Sequence, residues 1–228
     1  MLQFNFFEDH NTIMANQDTD RIVRRSFPVG PLQCNCTIIG DTLTGKAILV
    51  DPGGNAELIL QTLREMNLQV VAIVHTHAHL DHILAAGEIR AATGAPIHLH
   101  QEDMFLWTDC ANQCRLFGLP PISLPDPDHY LKDDQGLDCC GGVVMHTPGH
   151  TPGSSCFWFA DAKLLIAGDT LFQGSIGRTD FPRGDFEQIV KSIRERLYSL
   201  DDDAEVVTGH GPETSIGREK VSNMFVRA

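Results

Sequence analysis

The sequence predicts an α+β fold in which two mixed β-sheets are flanked by helices. Two observations carry that expectation. Strand-like segments come in consecutive hairpin-like pairs and also in alternation with helical segments, which a purely parallel sheet would not give. The chain has 228 residues, 42% of them hydrophobic, which is enough to bury one large core. Residues 21–228 are expected to form that domain. Residues 1–20 read as a partly flexible N-terminal extension, with Phe4, Phe6 and Phe7 available to dock on the domain or on a second subunit.

The elements follow in order. Strands are expected at 21–27, 36–39 and 47–50, the last stopped by the turn Asp51-Pro52-Gly53-Gly54. Residues 56–66 have helical spacing, with Leu58, Ile59, Leu63 and Met66 on one face. The run 70–74 is wholly apolar and rich in β-branched residues, so a buried strand. A histidine-rich loop follows, then a helix over 80–92 ended by Gly94 and Pro96. Residues 97–99 read as a strand, and 102–117 as a helix carrying Met104, Leu106 and Trp107. The Pro- and Asp-rich stretch 119–135 reads as a long irregular loop. Further strands are expected at 143–146, 156–159, 164–167 and 205–207, and a helix at 186–197 with Ile189, Ile193 and Leu197 inward.

Composition excludes several roles. Thirty Asp and Glu against seventeen Lys and Arg give a formal net charge of -13. Such a surface repels a phosphate backbone, so nucleic acid is not expected as a partner. No apolar run reaches the length of a membrane span, and the N-terminus lacks the basic start and apolar stretch of a secretory signal. Seven Cys without a Cys-x-x-Cys spacing fit free thiols in the cytoplasm better than a disulfide framework. The pair Cys110 and Cys114 reads as packed side chains rather than metal ligands.

The chemistry is concentrated in His77-Ala78-His79-Leu80-Asp81-His82. Four ligand-type side chains sit between a buried strand and a helix start. His77 and His79, two apart on extended backbone, point the same way and can reach one metal. Asp81 and His82, past the turn, point to a second place nearby, as two metals sharing a bridging ligand require. Buried imidazoles packed together without a cation would repel when charged and lack partners when neutral. Three more candidates, His150, Asp169 and His210, each follow an apolar strand and are flanked by Gly or Pro. That places them on loops at a common sheet edge, where sites gather.

With these motifs in place the chain resembles the metallo-β-lactamase superfamily, and within it the glyoxalase II (hydroxyacylglutathione hydrolase) branch in its short bacterial form. The matching stretches are LVDPGG at 49–54, HTHAHLDH at 75–82, HTPGHTPGS at 146–154, AGDTLF at 167–172, GRTDFPRGD at 177–185 and GHGP at 209–212. The resemblance spans Arg21 to about Arg218. It implies an αββα sandwich. It implies one metal held by His77, His79 and His150, a second by Asp81, His82 and His210, and Asp169 bridging both beside a water or hydroxide. Zinc is the usual metal, and iron and manganese occur in this branch. Two divalent ions, two carboxylates and a hydroxide leave a local charge of about +1, suited to stabilising a developing oxyanion. The expected reaction is attack by the bridging hydroxide, oriented by Asp81, on a thioester or ester carbonyl of a small, perhaps glutathione-linked molecule.

Two other activities of the superfamily stay open: a mononuclear iron persulfide dioxygenase, and a lactonase or promiscuous β-lactamase. The resemblance to full-length glyoxalase II proteins implies a C-terminal helical domain with basic residues for glutathione; sixteen residues follow Pro212, among which Arg218 and Lys220 could give a partial substitute.

Other residues have weaker signals. Asp51 could orient the His loop or simply form its turn. Thr76 and Thr170 could hydrogen-bond ligands. Arg178 or Arg183 could receive a substrate carboxylate, or pair internally with Asp180 or Asp185. His75 reads as structural, His146 as packing or support, and His98 and His100 as a His-x-His without an accompanying Asp. His10 and His129 read as solvated.

Overall fold

The computed structural model describes residues 21–227. The expected extension at 1–20, with His10 and its three phenylalanines, lies outside the described residues. A six-stranded sheet has the order β1 (Ile22–Val29), β2 (Cys34–Asp41), β3 (Lys46–Val50), β4 (Gln69–Val74), β5 (Ile97–His100) and β6 (His129–Leu131). Its first three strands are antiparallel and the rest run parallel from β3. Strands β7 (Gly142–His146), β8 (Ser155–Phe159) and β9 (Leu164–Gly168) begin a second sheet. A ribbon of β10 (Leu171–Phe172) and β11 (Ser175–Ile176) follows, and β12 (Glu205–Thr208) and β13 (Thr214–Ser215) complete the second sheet in the order β13-β12-β9-β8-β7. Both sheets are mixed, with β12 parallel to β9.

Strand alternation builds four layers. In β3, Ala47 and Leu49 face one way and Ile48 and Val50 the other. In β9, Leu165 and Ala167 face opposite to Leu164 and Ile166. Ile48, Val50, Val74, Phe157, Phe159 and Ile166 form the apolar layer between the sheets. Outside the first sheet pack α1 (Ala56–Glu65), α2 (Leu80–Ile83), α3 (Ala86–Thr93), α4 (Met104–Thr108) and α5 (Cys110–Leu116). Outside the second pack α6 (Phe186–Ser192), continued by a π turn over Ile193–Leu197, and α7 (Ile216–Ser222). The central strands are apolar throughout because both their faces are buried. No helix of the described residues is long and apolar enough to cross a membrane.

Four expectations need correction. Leu58 is 45% exposed, and the buried face of α1 is Ile59, Thr62 and Leu63. The helix expected at 80–92 is broken because Ala85 gives its N–H to the Pro52 carbonyl (2.9 Å). The helix expected at 102–117 turns at Asp109, where the Gln113 amide takes the Leu106 carbonyl (2.8 Å). The loop 119–135 contains β6, pinned by Asp128, which accepts from Ile97 N (2.9 Å) and from the Arg90 guanidinium (2.7 Å).

Candidate metal centre

Strands β3, β4, β9 and β12 end along one rim of the sandwich, and the residues just past their carboxyl ends carry the chemistry. Asp51 follows β3, the run His75 to His82 follows β4, Asp169 follows β9 and His210 follows β12. His150 sits on the turn between β7 and β8. Two backbone bonds join the sheets at this rim: Ser155 N to Thr76 O and Asn35 N to Gly209 O, both 2.8 Å. Packing leaves no room for larger residues here. A Cβ on Gly209 would strike the Asp169 carboxylate, and one on Gly53 the Asp81 carbonyl.

The first cluster is three imidazoles meeting nitrogen to nitrogen. His150 Nε2 lies 3.2 Å from His77 Nε2 and 2.9 Å from His79 Nδ1. Outer partners fix two of the rings. His150 Nδ1 donates to the Arg178 carbonyl (2.7 Å). Thr76 Oγ1 gives its hydrogen to Asp51 Oδ2 (2.6 Å) and so accepts from His77 Nδ1 (3.1 Å). Both Nε2 atoms therefore present lone pairs to each other, which is repulsive unless a cation lies between them. Imidazole nitrogens on one tetrahedral zinc sit roughly 3.3 Å apart, so the spacing suits that use.

The second cluster mixes imidazole and carboxylate. Asp81 Oδ2 is 3.0 Å from His210 Nε2 and 3.6 Å from His82 Nε2. His82 Nδ1 donates to Asp51 Oδ2 (2.9 Å), with Cys34 Sγ 3.4 Å away, which turns Nε2 inward. Asp169 stands between the clusters. Its Oδ2 is 3.6 Å from His150 Nε2, and its Oδ1 is 3.5 Å from His82 Nε2 and 3.8 Å from His210 Nε2. His82 Nε2 and Asp169 Oδ1 are buried without a hydrogen-bond partner. Orphans that face one another across a cluster of ligand-type atoms are what ligands to a cation look like before the cation is counted. The donor set fits divalent metal in both clusters.

Protonation divides the clusters the same way. Burial, and then the neighbouring imidazoles, push His77 far down and His79 to about 3. Burial also pushes His82 and His210 down, but carboxylates outweigh it and both end raised. Asp81 is lowered because the two imidazoles overcome its burial.

The remaining expected residues fall into place as follows. Asp51 does both things considered for it: it turns the chain at a left-handed φ of 50° and anchors Thr76 and His82. Thr76 contacts His77, whereas Thr170 Oγ1 pairs with Thr147 Oγ1 (3.1 Å). Arg178 forms a bidentate pair with Asp180 (2.7 and 2.6 Å), and Arg183 lies over the Phe105 ring. His75 points away from the centre, donating to the His82 carbonyl (3.1 Å) against Trp107. His98 lies 4.9 Å from the His129 ring, while His100 stacks on His146, with Glu102 near enough to complete a shallow ligand group. Cys110 and Cys114 are buried in the helical layer.

Two supporting residues escaped sequence reading. Buried Asp103 accepts from Ala78 N (3.0 Å), Thr151 Oγ1 (2.8 Å) and Gly153 N (2.7 Å), tying the His loop to the turn that carries His150. Gln113 accepts from Leu80 N (3.0 Å) and donates to the Ala78 carbonyl (3.1 Å). Neither lies in a motif. The only signal was a polar residue on the inner face of an otherwise apolar helical stretch.

Comparison with known proteins gives the family and the fold. A hydroxyacylglutathione hydrolase, GloC, of Haemophilus influenzae is 42% identical over 206 residues, covering 89% of this chain and 97% of that protein. The crystal structure of the B3 metallo-beta-lactamase BLEG-1 superposes with a TM-score of 0.84 at 36% identity, covering 90% of this chain and 100% of that one. The structure of TTHA1623 in a di-iron-bound form gives 0.83 at 34% identity, covering 89% and 100%. Residues 29–210, from the end of β1 to the last histidine of the centre, match the family described as the metallo-beta-lactamase superfamily. The chain belongs to the metallo-beta-lactamase superfamily.

Proposed function

We propose that the protein is a binuclear metal-dependent hydrolase of thioester or ester carbonyls. One observation carries the reading: the Asp169 carboxylate turns one oxygen toward each of two ligand clusters. His77, His79 and His150 would hold one ion, Asp81, His82 and His210 the other, and Asp169 both. Zinc suits these donors, and iron or manganese would be accommodated; a related protein is described in a di-iron-bound form. When bound, the ions supply Lewis acidity and a hydroxide nucleophile at neutral pH.

The chain's own groups do the positioning. Asp51 and Thr76 keep His82 and His77 in the tautomers that face inward. The Arg178 carbonyl does the same for His150. Asp81 is held ionised by His82 and His210, so it can accept a hydrogen bond from, and orient, an attacking water. Leu80, Leu106 and Phe181 wall the pocket beside the ligands and limit the water around the reacting carbonyl.

Thioester chemistry is favoured by the Haemophilus relative, and seven free thiols fit a reducing, cytoplasmic setting. The likeness to a B3 metallo-beta-lactamase makes lactam cleavage the second reading. A hydrolysis panel on metal-reconstituted protein separates them: S-D-lactoylglutathione, simple thioesters, homoserine lactones and a chromogenic cephalosporin. Thioesters are expected to turn over fastest. Fastest turnover of the cephalosporin would move the assignment to lactamase. One iron per chain with persulfide-dependent oxygen uptake would replace hydrolysis altogether.

A further inference from the structure

Resting on the hydrolase reading, we infer that the substrate carries an apolar arm on an uncharged carrier, bound by the wall formed by Leu32, Leu106, Leu116, Phe117 and Phe181. A cavity of about 430 Å³ opens directly over His79, Asp81, Asp169 and His210, and these five side chains come to it from four separate parts of the chain. Leu32 reaches it from the turn between β1 and β2, Leu106 from α4, Leu116 and Phe117 from the end of α5, and Phe181 from the loop before α6. Leu116 is 83% exposed and Phe117 50% exposed. Large apolar side chains gathered at the mouth of a polar centre have little structural use there, but they can bury a ligand's hydrocarbon.

The charges around the cavity point the same way. Its lining holds one Lys or Arg, Arg178, and that guanidinium is already occupied by both carboxylate oxygens of Asp180 and lies 3.9 Å over the Phe181 ring. Asp109 adds a negative charge to the lining. The nearby Arg115 turns to Asn112, and Arg183 covers Phe105 instead. A thiol carrier bearing two carboxylates would meet, in the described lining of the cavity, no Lys or Arg without a carboxylate partner, and would have to compete with Asp180 for Arg178.

Binding of stable thioethers tests this without requiring turnover. Zinc-reconstituted protein is titrated calorimetrically with S-methyl and S-hexyl derivatives of N-acetylcysteamine and of glutathione. Lengthening methyl to hexyl is expected to tighten binding by about tenfold or more on either carrier, because several methylenes leave water. The hexyl compound on the uncharged carrier is expected to bind more tightly than its glutathione counterpart. The double variant Leu116→Ser, Phe117→Ser changes two exposed residues and should remove most of the hexyl gain. Asp180→Asn should free Arg178 and tighten only the glutathione compounds, by severalfold. No gain from the longer arm, or tighter binding of the glutathione form by the unaltered protein, would overturn the inference. Tight, arm-dependent binding with no hydrolysis of the matching thioesters would leave the pocket assignment standing and sink the hydrolase reading instead.

Discussion

The two halves of the metal centre are built from similar residues and behave as opposites. In the half made by His77, His79 and His150, imidazole nitrogens approach to 2.9 and 3.2 Å. Burial and mutual proximity there push His77 and His79 toward the neutral form. In the half made by Asp81, His82 and His210, carboxylates stand among the imidazoles and hold His82 and His210 toward the charged form. The second half can satisfy itself with protons, whereas the first needs a cation from outside. The difference comes from where carboxylates sit: Asp51 and Asp81 contact the second half, and only Asp169 reaches the first. Acidity, metal supply and mutation should therefore act unequally on the two halves.

The largest expected effect comes from the residue they share. Asp169→Ala should lower hydrolysis at least about a hundredfold and reduce bound metal in both halves, read by steady-state kinetics and elemental analysis. Retained activity would mean the halves do not work together. A smaller, one-sided effect is expected from Asp51→Asn, which keeps a residue tolerant of the left-handed turn but weakens the anchor of His82. Metal affinity should fall about 10- to 100-fold in the second half, with the first half, which Asp51 reaches only through Thr76, less affected, as competitive chelator titration would resolve. An equal loss in both halves would erase the distinction drawn here.

The smallest effect concerns stability. In metal-free protein, His79 titrates near 3 and His75, lowered mainly by burial, near 4, while both would titrate near 6.5 in the unfolded chain. Between pH 6.5 and 4 the unfolded chain takes up protons that the fold refuses, so stability should drop as pH falls through that window. The raised groups, His82 and His210, keep their full contribution below pH 6.5 and lose it only as pH rises through their folded values. The thermal midpoint should fall by more than about 4 °C from pH 6.5 to 4.5. His79→Ala should shrink the drop and His210→Ala should not. A midpoint that rises on acidification would contradict the assignment of charge to the two halves.

What the sequence revealed of this arrangement depended on how local each feature is. His77 to His82 are adjacent in sequence, so their spacing alone places four ligand-type groups together. His150, Asp169 and His210 were legible because each closes an apolar strand, and strand ends of a layered fold share a rim. Asp103 and Gln113 were not, since their partners are backbone groups of distant loops, meeting them only after α4 and α5 fold over the site. One break was illegible for the same reason, since a carbonyl of Pro52 from outside the local pattern takes the Ala85 N–H; the other arises within the expected helix, where the Gln113 side chain takes the Leu106 carbonyl. Leu58 shows the limit of periodicity, since Ile59 and Leu63, with Ala56, Leu60 and Met66 packed beside them, make the contact with the sheet and leave it outside.

Anomalous scattering from a crystal of the metal-reconstituted protein, collected on either side of the zinc absorption edge, tests the pairing of the two halves most directly. Two peaks are expected in each chain, one among His77, His79 and His150 and one among Asp81, His82 and His210, with Asp169 touching both. A single peak, or one displaced from these side chains, would contradict a binuclear centre.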